Sequence, residues 1–174
     1  LVFSALAITA PAKPVEAAFE IGVPLGNTIN ACGGLFFSEY IEGSSYNKAI
    51  EIYNGTGVPV DLSLYKIQLY SNGGTTPSER TLSGSLAHGD VYVIAHGSAN
   101  AAILAVADIT DNVIANWNGD DAVALRRVSD DVLIDVFGQI GFDPGTFWGT
   151  EPNTTAEHTL TRMVTISTGD PNGS

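Results

Sequence analysis

The chain has 174 residues, of which 44% are hydrophobic and only 15% are charged, and it contains 19 glycines. This length fits one domain with a flanking arm, and the composition suits an all-β domain and argues against a disordered chain. The net charge of −12 disfavours nucleic acid and anionic membrane surfaces as default partners. The single cysteine, Cys32, excludes a disulfide within the chain, so it is either a free thiol or pairs between chains.

Residues 1–34 are predicted to form an apolar arm that precedes the domain. Residues 1–10 (LVFSALAITA) are apolar but too few for a membrane helix, which needs about 20, so no transmembrane segment is predicted. Two interpretations are open. The arm is either the remnant of a secretory signal, with Val15 and Ala17 in cleavage positions, or a segment that docks on another copy as an added strand. The candidate assembly residues of the arm are Leu1, Val2, Phe3, Leu6, Ile8, Phe19 and Ile21.

The domain is predicted to span residues 35–174 and to open with two strands, at residues 35–41 and 48–54. In the second run Ile50 and Ile52 alternate with Glu51 and Tyr53, the period of two expected of a strand with one buried face. The intervening residues are typical of a turn.

Further short strands are predicted along the rest of the chain, with turn residues at fairly regular spacing. One short helix is predicted over residues 99–105 with Ser98 as its N-cap, and residues 142–153 form a Gly/Pro loop. The pattern of about eight short strands indicates a β-sandwich. The predicted strands occupy residues 64–70, 80–82, 91–96, 122–127, 132–137 and 158–166.

Several blocks of sequence follow one another in a familiar order. They are FFSEYIEGSSYNKAIEIYNGTG (36–57), DLSLYKIQLYSNGG (61–74), AHGDVYVIAH (87–96), WNGDDAVAL (117–125), DVFGQIG (135–141), FWGTEPNTTAEHTLTRM (147–163) and GDPNGS (169–174). Together they resemble a prokaryotic lamin-tail domain. The resemblance implies an immunoglobulin-like β-sandwich, secreted or attached to the cell surface, of a kind that often stands beside an extracellular nuclease or phosphatase. It implies no catalytic residues.

A calcium site is one candidate for bound chemistry. Asn116, Asn118, Asp120 and Asp121 place oxygen ligands around one turn, as calcium loops do. The alternative is an ordinary hairpin turn, because no glutamate closes the twelve-residue loop and Asn-Gly-Asp is common turn chemistry. No other cofactor is predicted.

Two glutamates are the candidate acid–base pair. Glu39 and Glu51 lie on the two opening strands and are expected to face each other. The alternatives are a solvated strand face or a salt bridge to Lys48 or Lys66. The chain has no G-x-S-x-G elbow, P-loop or dinucleotide fingerprint, so no enzyme is predicted.

Two sets of loop residues are candidates for contact and modification. Phe142, Phe147 and Trp148 form either an exposed platform for sugar or peptide or a plug at one end of the sandwich. The sequons at Asn54, Asn153 and Asn172 are candidate glycosylation sites if the protein is exported and glycosylated.

Three functions are consistent with these features. The first is a non-catalytic structural protein, extracellular or on the cell surface, that assembles with other copies through its arm into a filament or pilus-like polymer. The second is an adhesion or binding module for surface glycans or proteins. The third is an accessory domain of an extracellular nuclease.

Overall fold

Two β-sheets face each other and enclose the core. The computed structural model describes residues 33–173. A 3₁₀ turn covers Leu62–Leu64, and a short helix, α1, covers Ala101–Leu104. The strands are β1 (Leu35–Glu42), β2 (Lys48–Asn54), β3 (Val60–Asp61), β4 (Tyr65–Tyr70), β5 (Ser78–Thr81), β6 (Ser85–Leu86), β7 (Val91–Ala95), β8 (Ile109–Thr110), β9 (Ala122–Arg127), β10 (Leu133–Phe137), β11 (Gly149–Thr150), β12 (Asn153–Thr154) and β13 (His158–Thr161).

The larger sheet has the order β13-β1-β2-β7-β8, and the sheet facing it has the order β10-β9-β4-β5. All pairings in these two sheets are antiparallel except that of β7 with β8. Two further two-stranded ladders join β3 to β6 and β11 to β12. The prediction of an all-β, immunoglobulin-like sandwich is therefore confirmed.

The two opening strands form as the alternation predicted. Ile50 and Ile52 are 1% and 0% exposed and point into the core, whereas Glu51 and Tyr53 lie half-buried on the opposite face. Strand β1 pairs with β2 along its length, and a register shift between Phe37 and Glu39 interrupts the ladder.

An aromatic stack holds the centre of the sandwich together. The ring of Tyr40, on β1, lies 5.5 Å from Trp117 and 4.1 Å from Phe137 of the facing sheet, nearly parallel to both. The indole N–H of Trp117 donates to the Ile41 carbonyl at 3.0 Å, which satisfies its polar atom inside the core. The main core cluster also contains Leu35, Phe37, Ile50, Ile52, Leu62, Ile67, Leu69, Ile94, Val123 and Leu125.

Two local predictions need correction. The helix is capped by Asn100 and not by Ser98, because the Asn100 side chain accepts from the N–H groups of Ala102 and Ile103 at 3.0 Å each. The last predicted strand ends at Thr161, five residues early, and the predicted loop 142–153 contains β11 and the first residue of β12.

The chain joins the sandwich at Gly34. The Gly34 N–H donates to the Ser167 carbonyl at 3.1 Å, and its own carbonyl accepts from Gly55 at 3.0 Å. The candidate assembly residues of the arm and Cys32 lie outside the described residues. Among the residues that the structure describes, none forms a helix of the length and hydrophobicity that crossing a bilayer requires.

Candidate functional site

The predicted calcium turn is fastened by one of its own carboxylates. Asp121 accepts the backbone N–H of Asn72 at 2.8 Å on one oxygen and that of Asn118 at 3.1 Å on the other. Burial raises the pKa of Asp121, and these two N–H groups oppose the rise. One oxygen therefore joins this turn to the loop of Asn72, and the other closes the turn itself.

The other three candidate calcium ligands differ in their exposure to solvent. Asn116 and Asn118 are exposed, while Asp120 is buried with one oxygen that makes no hydrogen bond to the described residues. Between residues 33 and 173, no three His, Cys, Asp or Glu side chains are arranged to hold a metal ion. The calcium site, whose candidate ligands include two asparagines, stays a prediction.

The aromatic loop is partly anchored and partly open. The Trp148 indole N–H donates to the Asp121 carbonyl at 3.0 Å, and its backbone N–H donates to the Thr155 hydroxyl at 2.9 Å. Phe142 is 56% exposed, and its ring lies 5.9 Å from that of Trp148. Trp148 and Phe147 are half-buried, so the three rings are neither a sealed plug nor a free platform.

A groove of about 780 Å³ opens beside Trp148, between the end of β10 and the C-terminal segment. Its walls include Phe137, Arg162, Ile166 and Asn172. An aromatic edge beside hydrogen-bonding groups is the usual composition of a small-ligand site.

A buried ion pair that the sequence analysis missed fixes one wall of this groove. Asp135 on β10 is fully buried, and its two oxygens lie 3.0 and 2.9 Å from one guanidinium nitrogen of Arg162. The same carboxylate accepts the backbone N–H groups of Phe37 and Asp170, each at 2.7 Å. Burial raises the pKa of Asp135, and these N–H groups and the guanidinium oppose the rise. The signal was one aspartate inside the apolar run Val-Leu-Ile-Asp-Val-Phe.

Glu39 and Glu51 do face each other, directly across β1 and β2, on the outer face of the larger sheet. The Ser38 hydroxyl donates to Glu51 at 2.7 Å. Burial raises the pKa of Glu39, and the negative charge of Glu51 raises it further. The predicted salt bridge is wrong, because Lys48 pairs with Glu42 and the other predicted partner, Lys66, pairs with Glu79 and Asp131.

One of the three candidate glycosylation sites is wrong for the folded domain. Asn54 is fully buried, and its amide donates to the carbonyls of Val58 and Leu86 at 2.9 Å each, which leaves no room for a glycan. Asn153 and Asn172 are exposed and stay predictions.

Comparison with known families decides the identity of the fold. The sequence model of the Lamin Tail Domain matches residues 28–141, more than half of the chain. The chain belongs to the lamin tail domain family. The matched region of the lamin tail domain begins in the predicted arm and ends before the aromatic loop, although β13 beyond it completes the larger sheet. A search of curated proteins finds no match to this chain.

Proposed function

We propose that this lamin tail domain protein is a non-catalytic structural protein of the cell exterior or surface, which assembles with other copies of itself through residues 1–34. The observation that carries the proposal is an uncovered apolar surface where the arm joins the sandwich. Met163, Val164 and Ile166 are 69%, 102% and 41% exposed, and they precede Ser167, the residue that binds Gly34. Contiguous exposed apolar surface is typical of an interaction site.

The bonding of the acidic side chains supports a structural role. The most deeply buried carboxylates that form hydrogen bonds are those of Asp135, Asp121 and Glu42. Each accepts a backbone N–H from a distant part of the chain. Such carboxylates are already occupied and are poorly placed for proton transfer to a substrate. The net charge of −12 suits a soluble exterior.

The test compares the full chain with two altered arms. Deletion of residues 1–30, and separately the pair Leu6→Asp and Ile8→Asp in the full chain, should each abolish assembly, measured by light scattering and electron microscopy. Near-ultraviolet circular dichroism of the buried Trp117 checks that the sandwich remains folded. Polymers formed by either folded variant at wild-type concentration would refute the proposal.

A binding module is the second candidate, and the exposed Phe142 ring beside Trp148 favours it. Phe142→Ala should weaken binding to soluble β-glucans by tenfold or more in isothermal titration calorimetry, since aromatic rings supply much of the contact in such sites. Val113→Ala, at a 61% exposed position distant in sequence, is the control. Unchanged binding by Phe142→Ala, or the absence of binding by the wild-type chain, counts against this role.

A further inference from the structure

The outer face of the larger sheet carries negative charge without a positive neighbour. Glu39 and Glu51 lie directly opposite each other, and a cavity of about 540 Å³ extends from them towards Asp90 and Asp108. Like charges in directly opposed positions destabilise a sheet.

Every lysine and arginine in the described residues is already paired with some other carboxylate. The chain has seven such residues, and six of them lie between residues 33 and 173. The seventh is Lys13, in the middle of the arm. These six residues form seven ion pairs: Lys48 with Glu42, Lys66 with Glu79 and with Asp131, Arg80 with Asp111, Arg126 with Asp131, Arg127 with Asp130 and Arg162 with Asp135.

An apolar depression continues from the same two glutamates. It is lined by Ile41 and Val93 on the sheet and by Val106 after the helix, and Val106 is 65% exposed. The floor is therefore apolar and one end is acidic. A complementary segment needs one positive charge beside a run of apolar residues.

Residues 1–13 of the arm have this composition, with ten apolar or small residues followed by the only lysine of the arm. We propose that this segment of a second copy docks on the outer face of the larger sheet, with Lys13 between Glu39 and Glu51. One small apolar side chain before Lys13 occupies the depression of about 60 Å³ formed by Ile41, Val93 and Val106. The inference rests on the proposed function and specifies the surface that receives the arm.

The arm is long enough to reach the same face of a second copy. From Gly34 to Glu39 the strand advances only about 17 Å, at roughly 3.3 Å per residue. The 20 residues from Lys13 to Gly33 can extend to about 66 Å. Folding back would leave a loop of a length that compact domains rarely contain. Because the arm and its receiving face are different surfaces, the contact is head-to-tail and continues from copy to copy.

Complementary full-length variants test the contact. A face variant (E39Q/E51K) keeps the wild-type arm and reverses the charge of the receiving surface. An arm variant (K13E) keeps the wild-type receiving surface and reverses the charge of the arm. Each alone should need at least about tenfold more protein to assemble, the lower end of the coupling measured between close interfacial charges. Mixed together, they should assemble again with the two variants alternating, because each arm then meets a face of opposite charge. The triple variant should recover assembly, and E151K, at an exposed site, is the charge control.

The outcomes separate this inference from the proposed function. If both charge variants assemble as the wild type does, while the 1–30 deletion does not, the arm is needed but docks elsewhere, and the inference is overturned. A mixture that does not assemble also overturns it, since complementary charges on different copies then fail to restore the contact. If the deletion variant still assembles, or the wild-type chain stays monomeric, both proposals fail.

Discussion

Replacing Asp135 by asparagine should remove a large part of the stability of this domain. One carboxylate oxygen accepts the Phe37 N–H, and the other accepts the N–H groups of Asp170 and Val136, at 2.7 to 3.1 Å. Both oxygens also contact Arg162. An asparagine has a single acceptor oxygen, so in either orientation its amide N–H₂ faces another N–H donor.

The expected loss in the free energy of unfolding follows from the burial of Asp135 and Arg162. Asp135 is fully buried and the Arg162 side chain is 18% exposed, so the substitution leaves a nearly desolvated guanidinium without its counter-charge. Removal of one partner from a buried pair costs about 3–5 kcal/mol. That is a large fraction of the roughly 5–15 kcal/mol by which a domain of this kind is stable.

Urea unfolding followed by tryptophan fluorescence measures the effect. With a dependence of about 2 kcal/mol per molar urea, the midpoint should fall by about 2 M. Asp130→Asn is the matched control, because the pair of Asp130 with Arg127 is exposed on both sides and its loss should barely move the midpoint. A decrease below about 0.5 M for Asp135→Asn would show that the pair does not hold the sheets and the C-terminal segment together.

Three further substitutions test other parts of the structure. Asn54→Ala should lower the free energy of unfolding by about 2–3 kcal/mol, since it removes the hydrogen bonds of a buried amide to the Leu86 and Val58 carbonyls and to the Thr56 N–H. An unchanged urea midpoint would contradict this. Gly138→Ala should cost about 1–2 kcal/mol because its φ is +80°, and it should shift the tryptophan emission because a Cβ there lies 2.7 Å from the Trp148 indole nitrogen. Glu39→Gln should raise stability at pH 7 by a few tenths of a kcal/mol by removing repulsion from Glu51. Because the pKa of Glu39 is raised in the fold, the wild type loses stability as pH rises through that pKa. The gain should therefore vanish in thermal melts below about pH 4, where the carboxyl is neutral in both states.

The sequence was sufficient where a feature depends on near neighbours. The alternation of Ile50 and Ile52 with Glu51 identified a strand and its buried face, and both were observed. The order of short strands and turns identified the sandwich, because each strand must bury one face against another layer. Opposed positions for Glu39 and Glu51 also followed, since two strands joined by a short turn pair antiparallel.

The sequence was insufficient where a side chain forms hydrogen bonds with residues that are distant in the sequence. Asp135 accepts a hydrogen bond from Phe37, 98 positions away, and the apolar run around it indicates burial without identifying this partner. Asn54 has the sequon of a surface loop, yet its amide bonds Leu86 across the sandwich. The N-cap of the helix is Asn100, because its side chain reaches the first free N–H groups, whereas Ser98 lies two residues before the N-cap position.

The buried Asp135 and the half-buried Glu39 and Glu51 differ in their bonding partners, and we propose that this difference marks an interface. Asp135, with no exposure, has a guanidinium and three backbone N–H groups, so its desolvation is offset within the domain. Within the described part of the chain, Glu39 and Glu51 have no basic partner and accept no backbone N–H, and only Glu51 accepts a hydrogen bond, from the Ser38 hydroxyl. Every lysine and arginine from residue 33 to residue 173 forms an ion pair with some other carboxylate. A sheet that only needed stability would gain from a lysine opposite Glu39. The unpaired charges at this position are better accounted for by a positive group from outside the domain, and Lys13 is the only lysine or arginine that the rest of the chain supplies.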